Sequence, residues 1–69
     1  MEEIKIITEF IKLDSFLKLA SAVATGGHAK IVITEGEVKV NGKVCTMRGK
    51  KLRENDIIEF NNKTYKIVK

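Results

Sequence analysis

Alternation of apolar and polar residues around an Asn-Gly pair is the clearest pattern in this chain of 69 residues. Val38 and Val40 alternate with Lys39, and Val44 follows the pair Asn41-Gly42. Asn and Gly tolerate the positive φ angles that a two-residue hairpin turn requires. Successive side chains of a strand point to opposite faces. The pattern therefore predicts a β-hairpin with one apolar side and one basic side.

The first half of the chain changes from a strand pattern to a helical one. Alternation over residues 4–8 predicts a short strand. An apolar stripe with helical spacing begins at Leu13 and runs to Ala24. Asp14 suits the positive end of a helix dipole. We expect this first helix to continue until Gly26-Gly27.

The segment 28–34 gives two conflicting signals. It is rich in Ile, Val and Thr, which favour strands, but its apolar residues recur at the helical intervals i, i+3 and i+4. We predict a helix over residues 26 to 35, with Thr25 as its N-cap and Gly36 as its C-terminal glycine. Ile31 is then an exposed or partner-facing apolar residue.

The remaining chain is predicted to hold a loop, a turn and a second hairpin. Residues 46–51 form the basic loop, and residues 53–56 form the turn. Two apolar segments, 56–60 and 65–68, flank Asn61-Asn62-Lys63 and predict a closing hairpin. The expected fold class is α+β: two short helices packed on a small, mostly antiparallel sheet, in one domain over residues 1–69.

Positive charge is concentrated in the middle of the chain. The formal net charge is +4, and residues 15–53 carry eight Lys or Arg against two Glu. A positive field of this kind attracts polyanions, with nucleic acid first and an anionic membrane second. The alternative is a solvated surface that aids solubility.

No group of residues indicates catalysis. The only histidine, His28, and the only cysteine, Cys45, give neither a metal-ligand set nor an intrachain disulfide. Asp14 and Asp56 are interpreted as cap and turn residues, and no Walker or dinucleotide motif is present. We expect a protein that is not an enzyme and needs no cofactor. No apolar run approaches the roughly 18 residues of a membrane span. Because a single cysteine excludes an intrachain disulfide, we expect a cytoplasmic location.

The aromatic residues are expected to lie in the core rather than on a binding surface. There are three Phe and one Tyr, and no Trp. They are Phe10, Phe16, Phe60 and Tyr65. Without an aromatic platform for bases, a nucleic acid would be held through its shape and its phosphates.

Three motifs occur in an order that resembles a known family. Lys12-Leu13-Asp14 opens the first helix, Val38-x-Val40-Asn41-Gly42 follows the helix that ends at Gly36, and Asn55-Asp56-Ile57-Ile58 comes last. The order resembles the RNA-binding domain named after ribosomal small-subunit protein S-four, over residues 4 to 69. The small stand-alone bacterial members called YaaA-like are the most similar.

These YaaA-like members resemble the chain in three further segments, residues 16–20, 25–30 and 48–52. Two positions depart from the family pattern. Gly26 stands where the wider family often has Arg or Lys, and Asn55 replaces a Gly. One expected RNA-contacting charge is therefore missing.

The resemblance implies binding to structured RNA, usually ribosomal or transfer RNA. We expect ribosomal RNA, in ribosome assembly or maintenance, with the protein acting as a monomer and away from membranes. Transfer RNA, nonspecific nucleic-acid binding and a protein-interaction adaptor that uses Ile31 are the alternatives. Gly26 and Gly27 would either offer free N–H groups to phosphate or only form a tight interhelical turn. The candidate RNA-binding residues are Lys12, Lys18, Lys30, Lys39, Asn41, Lys43, Arg48, Lys50, Lys51 and Arg53.

Overall fold

Seven short strands and two helices follow one another in the computed structural model, which describes residues 1–69. The elements are β1 (Glu2–Lys5), β2 (Ile11–Lys12), α1 (Leu13–Leu19), α2 (Gly26–Thr34), β3 (Val38–Val40), β4 (Lys43–Val44), β5 (Lys51–Leu52), β6 (Ile57–Phe60) and β7 (Lys63–Val68).

The strands form two sheets. The larger sheet has the order β1-β7-β6-β3-β4, and only the pairing of β1 with β7 is parallel. The smaller sheet is the antiparallel ribbon of β2 and β5. The predicted α+β class, with two helices on a mostly antiparallel sheet, is confirmed.

One hydrophobic core joins both helices to the larger sheet. Fifteen buried residues form a single cluster. Phe16 of α1 meets Tyr65 of β7 edge to face, with the ring centroids 5.9 Å apart. Phe16, Phe60 and Tyr65 are buried as predicted. The expectation that Phe10 belongs to the core is wrong, because its ring is only half-buried.

The first helix ends earlier than its apolar stripe predicts. It stops at Leu19, and Ser21 adopts a positive φ of 57°. The N–H of Ser21 then bonds to the carbonyl of Lys18, and the N–H of Ala22 to that of Leu17, which is a Schellman ending. The chain turns back and buries Val23. The apolar spacing of residues 20–24 therefore reflects this folded-back turn and not a further helical turn.

The helical prediction for segment 26–35 is confirmed against its strand propensity. Thr25 caps α2 by accepting a hydrogen bond from the His28 N–H at 3.0 Å. Gly36, with φ 78°, closes the helix because its N–H bonds to the carbonyl of Ile33. Ile31 is 55% exposed, as the helical interpretation requires.

Both predicted hairpins are present, with two corrections. Asn41 and Gly42 have φ angles of 51° and 84°, as a two-residue turn demands. That turn pairs Val40 with Lys43 and Lys39 with Val44. Val38 and Val40 share one face with Lys43, and Lys39 shares the other face with Val44. The predicted alternation within β3 is present, but β4 adds a lysine to the apolar side and a valine to the basic side.

In the closing hairpin the connection is shorter than predicted. Only Asn61 and Asn62 form it, both with positive φ, and Lys63 already belongs to β7.

The first strand is also displaced: it covers Glu2–Lys5 rather than residues 4–8, because pairing with β7 starts at Glu2 opposite Tyr65.

Candidate nucleic-acid interface

The ribbon of β2 and β5 brings the basic loop to the start of helix α1. Leu52 of β5 is fully buried and lies opposite Ile11 of β2. The N–H of Leu13 donates to the Lys50 carbonyl at 2.9 Å, and the N–H of Asp14 donates to the Arg48 carbonyl at 3.1 Å. The loop is thus fixed to the first turn of α1 through its backbone, while its side chains are exposed. Sequence reasoning placed this segment in a loop and missed the ribbon.

Two cations lie over one phenyl ring beside this ribbon, and a third cation faces one of them across the strand pair. Lys12 lies opposite Lys51 in the pairing of β2 with β5. The Nζ of Lys51 is 4.8 Å from the ring centroid of Phe10, and the Cζ of Arg53 is 5.9 Å from it. Both distances are in the range of cation–π attraction. We call Phe10, Lys12, Lys51 and Arg53 the Phe10 cation cluster.

No carboxylate neutralises the Phe10 cation cluster. The single ion pair of the molecule joins Lys69 Nζ to Glu9 Oε1 at 3.8 Å. Like charges that face each other across a strand pair repel, as Lys12 and Lys51 do here. The cluster is therefore a concentrated, exposed positive charge that an anion would stabilise.

Further candidate cations lie at two other places on the molecule. Lys43 and Lys50 line one shallow depression beside the hairpin turn, together with the exposed Val44 and Met47. Lys18 of α1 lies over the start of α2, where its Cδ is 4.0 Å from the position that a Cβ on Gly26 would occupy.

Three further candidate positions on α2 are exposed but have no observed contact with the Phe10 cation cluster. Lys30 is exposed on α2. Gly26 and Gly27 form the first residues of α2 directly after the capping Thr25. Their position fits the tight interhelical turn, and contact of their N–H groups with phosphate stays a prediction.

Lys39 lies apart from the other candidate cations. Val38 and Val40 point into the core, so Lys39 between them points to the opposite face of the sheet. There it pairs with Glu59 of β6 and lines a depression that also contains Glu37. The structure therefore does not bring Lys39 to the Phe10 cation cluster.

The exposed side chain of Asn41 forms hydrogen bonds with other residues of the protein. Its Oδ1 accepts from the N–H of Ile57 at 2.9 Å, and its Nδ2 donates to Asp56 Oδ1 at 3.1 Å. The other oxygen of Asp56 accepts from the Arg53 N–H at 2.7 Å. We call this arrangement the Asn41–Asp56 clasp. It connects the hairpin turn to the turn that carries Arg53, and a contact of Asn41 with RNA stays a prediction.

The remaining reactive groups are dispersed. Cys45 is a free, half-buried thiol, and His28 is exposed. Burial raises the pKa of Tyr65, and the negative charge of Glu2 raises it further. No three His, Cys, Asp or Glu side chains are placed to hold a metal ion. Neither helix has the length and apolar character needed to cross a bilayer.

Comparison with known proteins gives a family model and a curated relative. The family model described as the S4 domain matches residues 4–68. A curated protein of Bacillus subtilis, named "Probable ribosome maturation protein RlbA", is 46% identical over 57 residues, which cover 83% of this chain and 80% of the relative.

Two solved structures share the fold. The solution structure of YbcJ from E. coli is 30% identical, with a TM-score of 0.76, over 100% of this chain and 89% of YbcJ. Its description reports an αL motif involved in RNA-binding. The 30S ribosomal protein S4e from Thermoplasma acidophilum is 23% identical, with a TM-score of 0.66, over 87% of this chain and 32% of S4e. This last likeness concerns the fold alone.

Proposed function

The chain belongs to the S4 domain family, as the order of its motifs predicts, and on that premise we propose that it binds structured RNA. Ribosomal RNA is the proposed target, and ribosome assembly or maintenance is the proposed process. The name of the Bacillus subtilis relative, which refers to ribosome maturation, supports this process. We further propose a monomeric, non-enzymatic protein of the cytoplasm that forms a single domain over residues 1–69.

The observation that carries the proposal is the Phe10 cation cluster with its continuation into the basic loop. Phosphate binding requires several cations within reach of neighbouring phosphates. The ribbon pairing sets Lys12 opposite Lys51, and the carbonyls of Arg48 and Lys50 are bonded to the first residues of α1. These exposed side chains offer both the point charges of lysine and the two-pronged grip of arginine.

The proposed interface has a centre and a periphery. Its centre consists of Lys12, Arg48, Lys50, Lys51 and Arg53. Its periphery consists of Lys18, Lys30 and Lys43, while Lys39 and Asn41 are proposed to contribute least. Since Phe16, Phe60 and Tyr65 are buried, they offer no stacking platform, and RNA would be held through its phosphates and its shape.

A salt titration tests the proposal. Binding to a folded ribosomal RNA fragment is measured over a range of salt concentrations for the native chain and for Arg48→Ala, Lys50→Ala and Lys51→Ala. Each phosphate contact releases about 0.7–0.9 counterion. We expect each variant to bind more weakly and to lower the slope of log affinity against log salt by up to about 1.

The matched controls remove the same charge elsewhere. The control variants are Lys5→Ala and Lys63→Ala. Lys5 is an exposed residue of β1, and Lys63 is an exposed residue beside the closing turn. Lys69 is unsuitable because it pairs with Glu9. If both controls lose as much affinity as the loop variants, binding follows net charge and the proposed interface is wrong. Transfer RNA and duplex DNA serve as competitors, and equal affinity for duplex DNA would contradict recognition of structured RNA.

A further inference from the structure

We propose that Phe10 is a positioning residue of the RNA interface, whose ring holds Lys51 and Arg53 in place for two phosphates. The inference rests on the proposed function, because it assigns a role within the same surface. It concerns a residue that lies outside the candidate set and whose side chain has no charge.

The ribbon geometry brings two cations to the ring of Phe10. Lys51 and Arg53 are separated by one residue, so they lie on the same face of their segment. Leu52 between them is fully buried and fixes that segment to the core. Phe10 precedes β2, and its ring centroid lies 4.8 Å from Lys51 Nζ and 5.9 Å from Arg53 Cζ. Both side chains therefore lie against the half-buried ring.

The charges of the cluster explain how the ring can position the cations. Lys12 and Lys51 face each other across the ribbon with no carboxylate between them, and their repulsion favours conformers that point apart. The negative face of the ring attracts cations and opposes this separation. Long side chains lose rotamer freedom when they bind. A ring that already restricts Lys51 and Arg53 reduces that loss.

Arg53 is restricted from a second direction. Its backbone N–H donates to Asp56 Oδ2 at 2.7 Å within the Asn41–Asp56 clasp. Because the clasp fixes the backbone and the ring attracts the guanidinium group, both ends of this side chain have a defined place. Because Lys51 and Arg53 already lie over the ring of Phe10, we do not expect an RNA base to stack on it.

The test compares Phe10→Leu with Phe10→Tyr. Leucine keeps apolar bulk but removes the π face, whereas tyrosine keeps the π face. Binding to the folded ribosomal RNA fragment at fixed salt is the first measurement, with thermal unfolding to verify that each variant is folded. We expect Phe10→Leu to bind about threefold to tenfold more weakly, and Phe10→Tyr to bind within about twofold of the native chain.

A combined variant shows whether the ring acts through the cations. In a chain that already carries Lys51→Ala and Arg53→Ala, Phe10→Leu should cause no further loss of affinity. An equal further loss would mean that the ring itself contacts RNA, and this would overturn the positioning role. Unchanged binding by Phe10→Leu alone would overturn it as well.

The native protein provides a measurement that needs neither a variant nor RNA. The ε-methylene protons of Lys51 should have NMR resonances shifted upfield by the ring current of Phe10. Random-coil positions for these protons would refute the positioning role while the proposed function stands. Failure of the native chain to bind structured RNA would instead refute the proposed function.

Discussion

Replacing Asn41 with glycine isolates the contribution of the Asn41–Asp56 clasp to stability. Glycine accepts the positive φ of 51° at this turn position, so the turn itself can still form. The substitution removes the hydrogen bonds to Ile57 and Asp56. Any large decrease in the free energy of unfolding therefore results from the loss of these side-chain hydrogen bonds.

The closing hairpin offers a matched control. Asn61 occupies the equivalent position of the other two-residue turn, with φ 54°, and its side chain forms no hydrogen bond within the protein. Asn61→Gly thus carries the same entropic cost of a glycine without the loss of a clasp. The difference between the two variants is the energy of the clasp.

The magnitude follows from the two bonds. A net intramolecular hydrogen bond contributes about 0.5–1.5 kcal/mol, and one to a charged group contributes somewhat more. Both bonds of Asn41 are near the surface, so we expect Asn41→Gly to be about 2 kcal/mol less stable than Asn61→Gly. For a chain of this size that corresponds to a melting temperature about 8–16 °C lower.

The assay is thermal and urea unfolding followed by circular dichroism. Equal melting temperatures for the two variants would refute the reasoning, because the clasp would then contribute nothing. A second comparison uses Asp56→Ala as background. In that background Asn41→Gly should lower the free energy of unfolding by less than it does in the native chain, since the bond to Asp56 is already absent.

Two further predictions concern the turn glycine and the tyrosine. Gly42→Val should lower the free energy of unfolding by about 1–3 kcal/mol because φ is 84°, whereas Gly49→Val, which has equal space but no positive φ, should have little effect in the same denaturation assay. The pKa of Tyr65 is raised in the folded protein. The neutral phenol therefore makes its full contribution to the free energy of unfolding below the ordinary pKa of about 10. That contribution is lost as the pH rises through the pKa of the folded state. Tyrosinate absorbance should show the late titration, and Tyr65→Phe should lose less stability than the native chain over that range; an ordinary titration curve would contradict this.

Local rules explain which elements the sequence predicts well. The Asn41-Gly42 turn and the capped helix α2 depend on residues within a few positions of one another, and both are present. In α2 the cap at Thr25 and the glycine at Gly36 outweigh the strand propensity of the β-branched residues between them.

The ribbon of β2 and β5 could not be predicted in this way. Each strand has two residues, too few for any periodicity, and the partners Lys12 and Lys51 are far apart in the sequence. The role of Phe10 depends on that pairing. An aromatic residue in an apolar register predicts burial, and only the three-dimensional arrangement shows the cations over its ring.

The concentration of Lys and Arg within residues 15–53 shows a second limit of the sequence. Charge along a sequence becomes charge on a surface only when the side chains share a face. Strand alternation sends Lys39 to the side of Glu59, while the ribbon gathers Lys51 and Arg53. The order of motifs indicates the family and the fold, but membership of the interface is decided by the strand pairings.

The parallel pairing of β1 with β7 has a consequence for the order of folding. Glu2 lies opposite Tyr65, so this contact closes a loop of about 60 residues, whereas each hairpin closes over two. Since each doubling of a loop adds about 0.6 kcal/mol of closure entropy, docking of β1 costs about 3 kcal/mol more than a hairpin turn. The hairpins and α2 can therefore form early, and β1 is added last. Amide hydrogen exchange should then find β1 the first strand to open, and slower exchange there than in β6 would contradict this order.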